Sequence, residues 1–80
     1  MVEVWRPAGA DRKKCRVLVT GTAAGGEATV RAGRGGLLRF RPEEITTQVF
    51  EETFGGGRNM LEFTGVQGPG RLATLEVRVE

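Results

Sequence analysis

The chain has 80 residues, and its 12 lysines and arginines against 10 aspartates and glutamates give a formal net charge of +2. It contains no histidine, serine or tyrosine and only one cysteine, Cys15, so serine and histidine triads are excluded and a cysteine nucleophile would lack its histidine base. Zinc sites of Cys and His and internal disulfides are excluded for the same reason. We therefore expect a protein that is not an enzyme and that has no cofactor and no metal site.

Eighty residues make one domain, 1–80, and a domain of this size buries only about 60% of its unfolded surface. Self-association or a protein partner would supply further stability. No apolar run has the length of a membrane helix, and the first residues lack the pattern of a signal peptide. The default expectation is cytoplasmic synthesis; a phage-derived chain would instead lie in the virion, and a module cut from a secreted precursor would be extracellular.

Short stretches of alternating apolar and polar residues, separated by Gly or Pro, predict an all-β chain. Seven short strands are expected, at residues 2–6, 15–22, 27–32, 37–41, 47–54, 60–65 and 72–80. Residues 42–45 could add one helical turn, because Pro suits a first helical position and acids favour that end of a helix. The expected fold is a small antiparallel β-sandwich of the jelly-roll kind.

The facing of the apolar side chains predicts the core. Its expected members are Val4, Cys15, Val17, Val19, Ala28, Val30, Leu38, Phe40, Val49, Leu61, Phe63, Leu75, Val77 and Val79. If the strand 47–54 is regular, Phe50 and Phe54 lie on the face opposite Val49, and the strand is buried on both sides or covers an interface. A β-bulge near Glu51 and Glu52 would instead return one phenylalanine to the core.

The last third of the chain, 55–80, has the pattern of two alternating strands around a Gly- and Pro-containing turn. Leu61 and Phe63 point one way, and after the turn the residues at 73, 75, 77 and 79 share one face. This pattern predicts a half-buried antiparallel pair. The segment Gly-Arg-Asn-Met-Leu-Glu-Phe-Thr-Gly, followed by a glycine turn and a terminal Leu-Glu-Val-Arg-Val strand, resembles the closing hairpin of galactose-binding-like jelly rolls, the β-sandwiches of many carbohydrate-binding modules.

The resemblance implies a sugar site that combines an aromatic platform with polar groups on loops at one end of the sandwich. Trp5 is the residue best suited to stacking on a sugar, and Asn59 and Gln67 offer planar amides. Arg58 or Arg71 could hold hydroxyls or a carboxylate. Two alternatives stay open, since Asn59 is also an ordinary turn residue and Trp5 is also an ordinary core or interface anchor.

Charged residues suggest two further sites, and both have a plainer explanation. Arg31, Arg39 and Arg41 alternate with apolar neighbours, and with Arg34 and Arg58 at nearby turns they could form a basic patch for nucleic acid or an acidic glycan. Glutamates are spread through the same strands, however, and the aromatic platform of a single-strand binder is missing. We expect cross-strand Arg–Glu pairing instead, and no nucleic-acid partner. Glycoside hydrolysis needs only two carboxylates, which the pairs Glu43-Glu44 and Glu51-Glu52 could supply. Both pairs are interpreted as solvated charge, because neighbouring residues of a strand face opposite sides and neither pair converges.

Two functional hypotheses follow. The first is a non-catalytic, carbohydrate-binding-like module that acts by surface association. The second is a structural subunit of a larger assembly, such as a bacteriophage decoration or tail protein or an extracellular filament, which the exposed strand edges would suit. The expected contact residues are Trp5, Phe50, Phe54, Arg58, Asn59 and Arg71, because Trp, Phe and Arg carry much of the binding energy at interfaces and the last three are predicted on turns.

Overall fold

A computed structural model describes residues 1–34, 36–66 and 68–80. Gly35 and Gln67 lie outside the described residues, and so does the predicted sugar contact of the Gln67 amide. Within the described ranges the chain forms eight β-strands and no helix. The strands are β1 (Val2–Arg6), β2 (Lys13–Ala24), β3 (Ala28–Ala32), β4 (Gly36–Phe40), β5 (Thr46–Phe54), β6 (Gly57–Leu61), β7 (Phe63–Val66) and β8 (Arg71–Val79).

The strands pair in three antiparallel sheets, and the prediction of a small all-β sandwich is confirmed. Two three-stranded sheets have the orders β5-β2-β8 and β4-β3-β7, and β1 pairs with β6 in a third sheet of two strands. The long strand β2 is the central strand of its sheet because it pairs with β5 along one edge and with β8 along the other. Every second side chain of β2 is apolar or small and turned inward. Both three-stranded sheets contribute to one buried cluster, so their inner faces pack against each other.

The core is largely the predicted one. Its buried members are Val4, Cys15, Val17, Val19, Ala23, Ala28, Val30, Ala32, Leu38, Phe40, Phe54 and Leu61, with Phe63, Val77 and Val79 half-buried against them. Two predicted members are wrong, because Val49 is 47% exposed and Leu75 is 41% exposed.

Strand β5 explains the error at Val49. Its register with β2 runs unbroken from Lys13 opposite Phe54 to Gly21 opposite Thr46, so the alternative with a β-bulge does not form. Phe54 is buried, Phe50 packs against the core, and Val49 on the other face is exposed. A strand has only two faces, and turning two phenylalanines inward removes more apolar surface from water than turning in one valine.

The predicted hairpin of the last third does not form. The predicted strand 60–65 is divided at Glu62 into β6, which pairs with β1, and β7, which pairs with β3. Strand β8 pairs with β2, so β7 and β8 belong to different sheets. The register of β8 shifts opposite Thr22 and Ala23, which leaves Ala73 exposed and brings Leu72 opposite Ala23, so the predicted inward facing of Ala73 is also wrong.

The helical turn predicted at 42–45 is absent as well. Glu43 has φ 62°, in the left-handed region, which a right-handed helical turn does not allow. The chain here instead connects the two sheets, since the backbone N–H of Ala23 donates to the carbonyl oxygen of Arg41 at 3.2 Å and Ala23 forms a parallel bridge with Pro42.

The sandwich is closed along one side and open along the other. On the closed side, the Gln48 amide of β5 bonds to the backbone of Arg39 on β4: Oε1 accepts from the Arg39 N–H at 3.2 Å and Nε2 donates to the Arg39 carbonyl oxygen. A side chain thus takes the place of a ladder partner between β4 and β5. On the open side, an apolar groove of about 380 Å³ separates β7 from β8.

The two sheets approach closely where Phe40 packs over Gly21. Phe40 is fully buried, and a Cβ added at Gly21 would lie 3.4 Å from the Phe40 ring and 2.8 Å from the carbonyl oxygen of Thr74. Any larger residue at position 21 would therefore collide with the neighbouring strand as well as with the opposite sheet.

We predict that Gly21→Ala lowers the free energy of unfolding by about 1–3 kcal/mol, because the added methyl overpacks the core. Gly65→Ala is the matched control, since a Cβ there meets nothing within 4 Å. Thermal melting of both variants checks this expectation. Equal melting temperatures for the two would contradict the close approach of Gly21 to the Thr74 backbone of the neighbouring strand.

We also predict that Gln48→Ala destabilises the protein by about 0.5–1.5 kcal/mol, because it removes two hydrogen bonds to the exposed backbone of Arg39, which water then replaces. Glu51→Ala, at an exposed position of the same strand, should change stability by less than about 0.5 kcal/mol. Chemical denaturation of the pair measures the difference. A Gln48 variant as stable as the Glu51 variant would show that the amide does not hold β4 against β5.

Candidate binding surface on strands β1 and β6

The outer face of the two-stranded sheet displays the most exposed aromatic side chain described. In the register of β1 and β6, Trp5 lies opposite Arg58 and Glu3 lies opposite Met60. The alternate residues Val4 and Leu61 are buried, so the pairing forces these four side chains outward. Trp5 is 67% exposed. Glu3, Trp5, Arg58 and Met60 together are called the β1–β6 surface below.

A carboxylate orients both predicted contact residues of this surface. The indole Nε1–H of Trp5 donates to Oε2 of Glu3 at 3.1 Å, and Nη2 of Arg58 lies 2.8 Å from Oε1 of the same carboxylate. The two oxygens of Glu3 are thus divided between the aromatic ring and the guanidinium. An exposed apolar ring beside one anion and one cation can stack on a flat apolar face while polar groups next to it bind hydroxyls.

Asn59 follows Arg58 but points to the inner side of β6. Its Oδ1 accepts from the Gly55 N–H at 3.0 Å, and its Nδ2 donates to the carbonyl oxygens of Gly55, Val4 and Gly57 at 2.9, 3.2 and 3.3 Å. The amide therefore holds the turn between β5 and β6 against β1. Of the two alternatives for Asn59, sugar contact or turn residue, these hydrogen bonds favour the second.

The other predicted contact residues lie on different elements. Phe54 is 2% exposed and belongs to the core, while Phe50 is half-buried with its ring against Gly36. Arg71 is exposed at the start of β8 and lines the groove between β7 and β8. The prediction that Arg58, Asn59 and Arg71 lie on turns is wrong, because β6 includes the first two and β8 begins at the third. Of the six residues, only Trp5 and Arg58 are brought opposite each other, and a contact role for any of the six stays a prediction.

A polar pocket of about 370 Å³ adjoins this surface. Its lining residues are Arg12, Arg34, Glu51, Glu52, Thr53, Phe54, Asn59 and Met60. Sequence reasoning missed Arg12 and placed Arg34 only beside a basic patch, because each lies outside the strands and no local pattern connects either one to β5. Among the residues that the structure describes, no three Asp, Glu, Cys or His side chains cluster to hold a metal ion, and no helix is long and apolar enough to cross a membrane.

The arginines of β3 and β4 lack the expected glutamate partners. Arg31 lies opposite Leu37, and Arg39 lies opposite Thr29, on two strands that contain no acidic residue. The ion pairs found in the described ranges involve Arg16, Arg58 and Arg78 instead. The predicted cross-strand pairing is therefore wrong for this sheet, because none of its three strands, β3, β4 and β7, contains an acidic residue.

Comparison of the chain with protein-family models, with curated proteins and with solved structures finds no match.

We predict that Asn59→Ala lowers stability by about 1–3 kcal/mol, since it leaves partly buried backbone groups of the turn without partners. Met60→Ala, one residue later and facing outward at 44% exposure, should melt within a few degrees of the unmodified protein. Differential scanning calorimetry distinguishes the two. An Asn59 variant of unchanged stability would show that its amide does not hold the turn.

Proposed function

We propose that this protein is a non-catalytic binding module that holds a glycan on the β1–β6 surface, with Trp5 as the stacking residue. The observation that carries the proposal is the exposure of a Trp side chain, 67%, on a strand whose inner side chain Val4 is anchored in the core. A large apolar ring kept in water on a rigid strand is costly to maintain and is available for contact without rearrangement.

The polar neighbours of Trp5 support a hydroxyl-rich ligand. Glu3 supplies acceptors, and Arg58 supplies donors whose side chain is 56% exposed. Their mutual ion pair is a surface contact worth only about 0–1 kcal/mol, so a ligand hydroxyl can replace it at little cost.

A structural subunit of a larger assembly is the second candidate. It is supported by the open side of the sandwich, where Val66 and Leu75 expose apolar surface beside the groove between β7 and β8. Apolar side chains gathered along one side suit a protein partner better than a sugar. A capsid, tail or filament partner would use this side, whereas a glycan would use the β1–β6 surface.

The glycan proposal is tested with Trp5→Ala against a panel of immobilised oligosaccharides. Loss of a central aromatic contact should weaken binding at least tenfold, roughly, while the melting temperature stays within a few degrees, because Trp5 contributes little to the core. Leu37→Ala is the matched control, since it removes another exposed apolar side chain, on β4, and should leave binding unchanged.

Three outcomes would contradict the proposal. Failure of the unmodified protein to bind any glycan of the panel would remove the ligand class. Equal loss of binding in the Trp5 and Leu37 variants would move the contact away from the β1–β6 surface. A large fall in the melting temperature of the Trp5 variant would make Trp5 a residue of the fold.

A further inference from the structure

Strand β8 has an unpaired edge whose hydrogen-bonding groups can be assigned. The Arg16 N–H donates to the Glu80 carbonyl oxygen at 3.2 Å, and the Glu80 N–H donates to the Arg16 carbonyl oxygen at 2.8 Å. In an antiparallel ladder the residues of one strand point toward the partner alternately. Arg78, Glu76 and Thr74 therefore bond to β2 as Glu80 does. The residues between them, Leu75, Val77 and Val79, direct their N–H and carbonyl groups to the free edge.

This edge is less protected than the other strand edges beside it. The register shift that leaves Ala73 unmatched disturbs only the beginning of β8, and 74–80 contains neither Pro nor Gly. By contrast, the Gln48 amide occupies the backbone of Arg39 on β4, and β7 has only four residues, one of them Gly65. An unprotected regular edge is a template for another strand.

The side chains of β8 alternate in a way that favours a particular partner. Glu76 and Arg78 lie on the outer face, opposite Thr20 and Leu18 of β2. Leu75 and Val77 lie on the inner face, and Leu75 is exposed at 41% beside the apolar groove. A partner strand with the same alternation and with charges in reverse order would match both faces.

We infer that the partner is a second copy of this chain, whose β8 pairs antiparallel with β8 about a twofold axis through Val77. Val77 then lies opposite Val77 of the second copy, and Leu75 lies opposite its Val79. Glu76 lies opposite Arg78 of the second copy, and Arg78 lies opposite its Glu76. These charged pairs fall at non-hydrogen-bonded positions, where side chains of facing strands are closest.

Neighbouring registers lack this match. Moving the twofold axis one residue toward the N-terminus places Glu76 opposite Glu76, and moving it one residue toward the C-terminus places Arg78 opposite Arg78. An axis between two residues would put an inner-face side chain opposite an outer-face one. Opposite charges and matching faces thus favour the axis through Val77 over these neighbouring registers.

The dimer joins two sandwiches into one sheet of order β5-β2-β8-β8-β2-β5. Leu75, Val77 and Val79 of each copy gain ladder partners, about six hydrogen bonds in total, since each of the three facing pairs exchanges two. The inference is independent of the proposed glycan site, because the β1–β6 surface contains no residue of β8. Each dimer would carry two such surfaces.

Sedimentation equilibrium of charge-reversal variants tests the inference. The unmodified protein should form a dimer, and Glu76→Arg and Arg78→Glu should each weaken it at least tenfold, roughly, because two attractive pairs become repulsive. An equimolar mixture of the two variants should restore dimers. In the Glu76→Arg variant both positions, 76 and 78, are basic, and in the Arg78→Glu variant both are acidic, so the two variants attract each other. Glu51→Arg, the same charge change on the exposed face of β5, is the control and should leave the dimer unchanged.

Thermal melting confirms that each variant is folded before its association is measured. A monomeric unmodified protein at the highest soluble concentration would overturn the inference, as would a dimer that neither reversal weakens or a mixture that fails to associate. If the protein stays monomeric but binds an unrelated peptide strand along β8, this edge serves another partner, and the inference that its partner is a second copy is overturned as well.

Discussion

The two three-stranded sheets approach closely where Phe40 packs over Gly21, and close packing of the inner faces is the constraint on which a domain of this size depends. Gly21 leaves room for the ring because it lacks a side chain, and its own strand passes close to the backbone of Thr74. The sheets are therefore near enough for Gln48 to reach the backbone of Arg39 on the closed side.

The two long sides of the sandwich differ because their edge strands differ. On the closed side, a side-chain amide satisfies the backbone of β4, so that edge has no free donor or acceptor at Arg39. On the open side, the shift at Ala73 turns Leu72 inward, and β8 runs past β7 without pairing to it. The open side therefore retains apolar surface and a regular strand edge, both of which favour association. The β1–β6 surface is a separate region whose exposed ring is set by the burial of Val4 and Leu61.

Local alternation predicts single strands well and their partners poorly. The bounds of β1 match the prediction because Pro7 ends a clear alternation, and the inward faces of β2, β3 and β4 follow from period two alone. The division of 60–65 at Glu62 was missed because β6 and β7 share one alternation and differ only in distant partners. The sequence predicted the residue types of the candidate site but not which of them face outward. An exposed Trp5 opposite Arg58 agrees with the expected contact types, whereas the same polar pattern at Asn59 suits either a ligand or, as the geometry shows, its own backbone.

Amide hydrogen exchange along β8, resolved by residue, tests the central claim that this strand is bonded on one edge and open on the other. In dilute protein, the amides of Glu76, Arg78 and Glu80 should exchange slowly because they bond to β2, while those of Val77 and Val79 should exchange quickly. Raising the concentration should slow Val77 and Val79 and leave the first three unchanged. The absence of this alternation, or equal protection of all five amides at every concentration, would contradict the account.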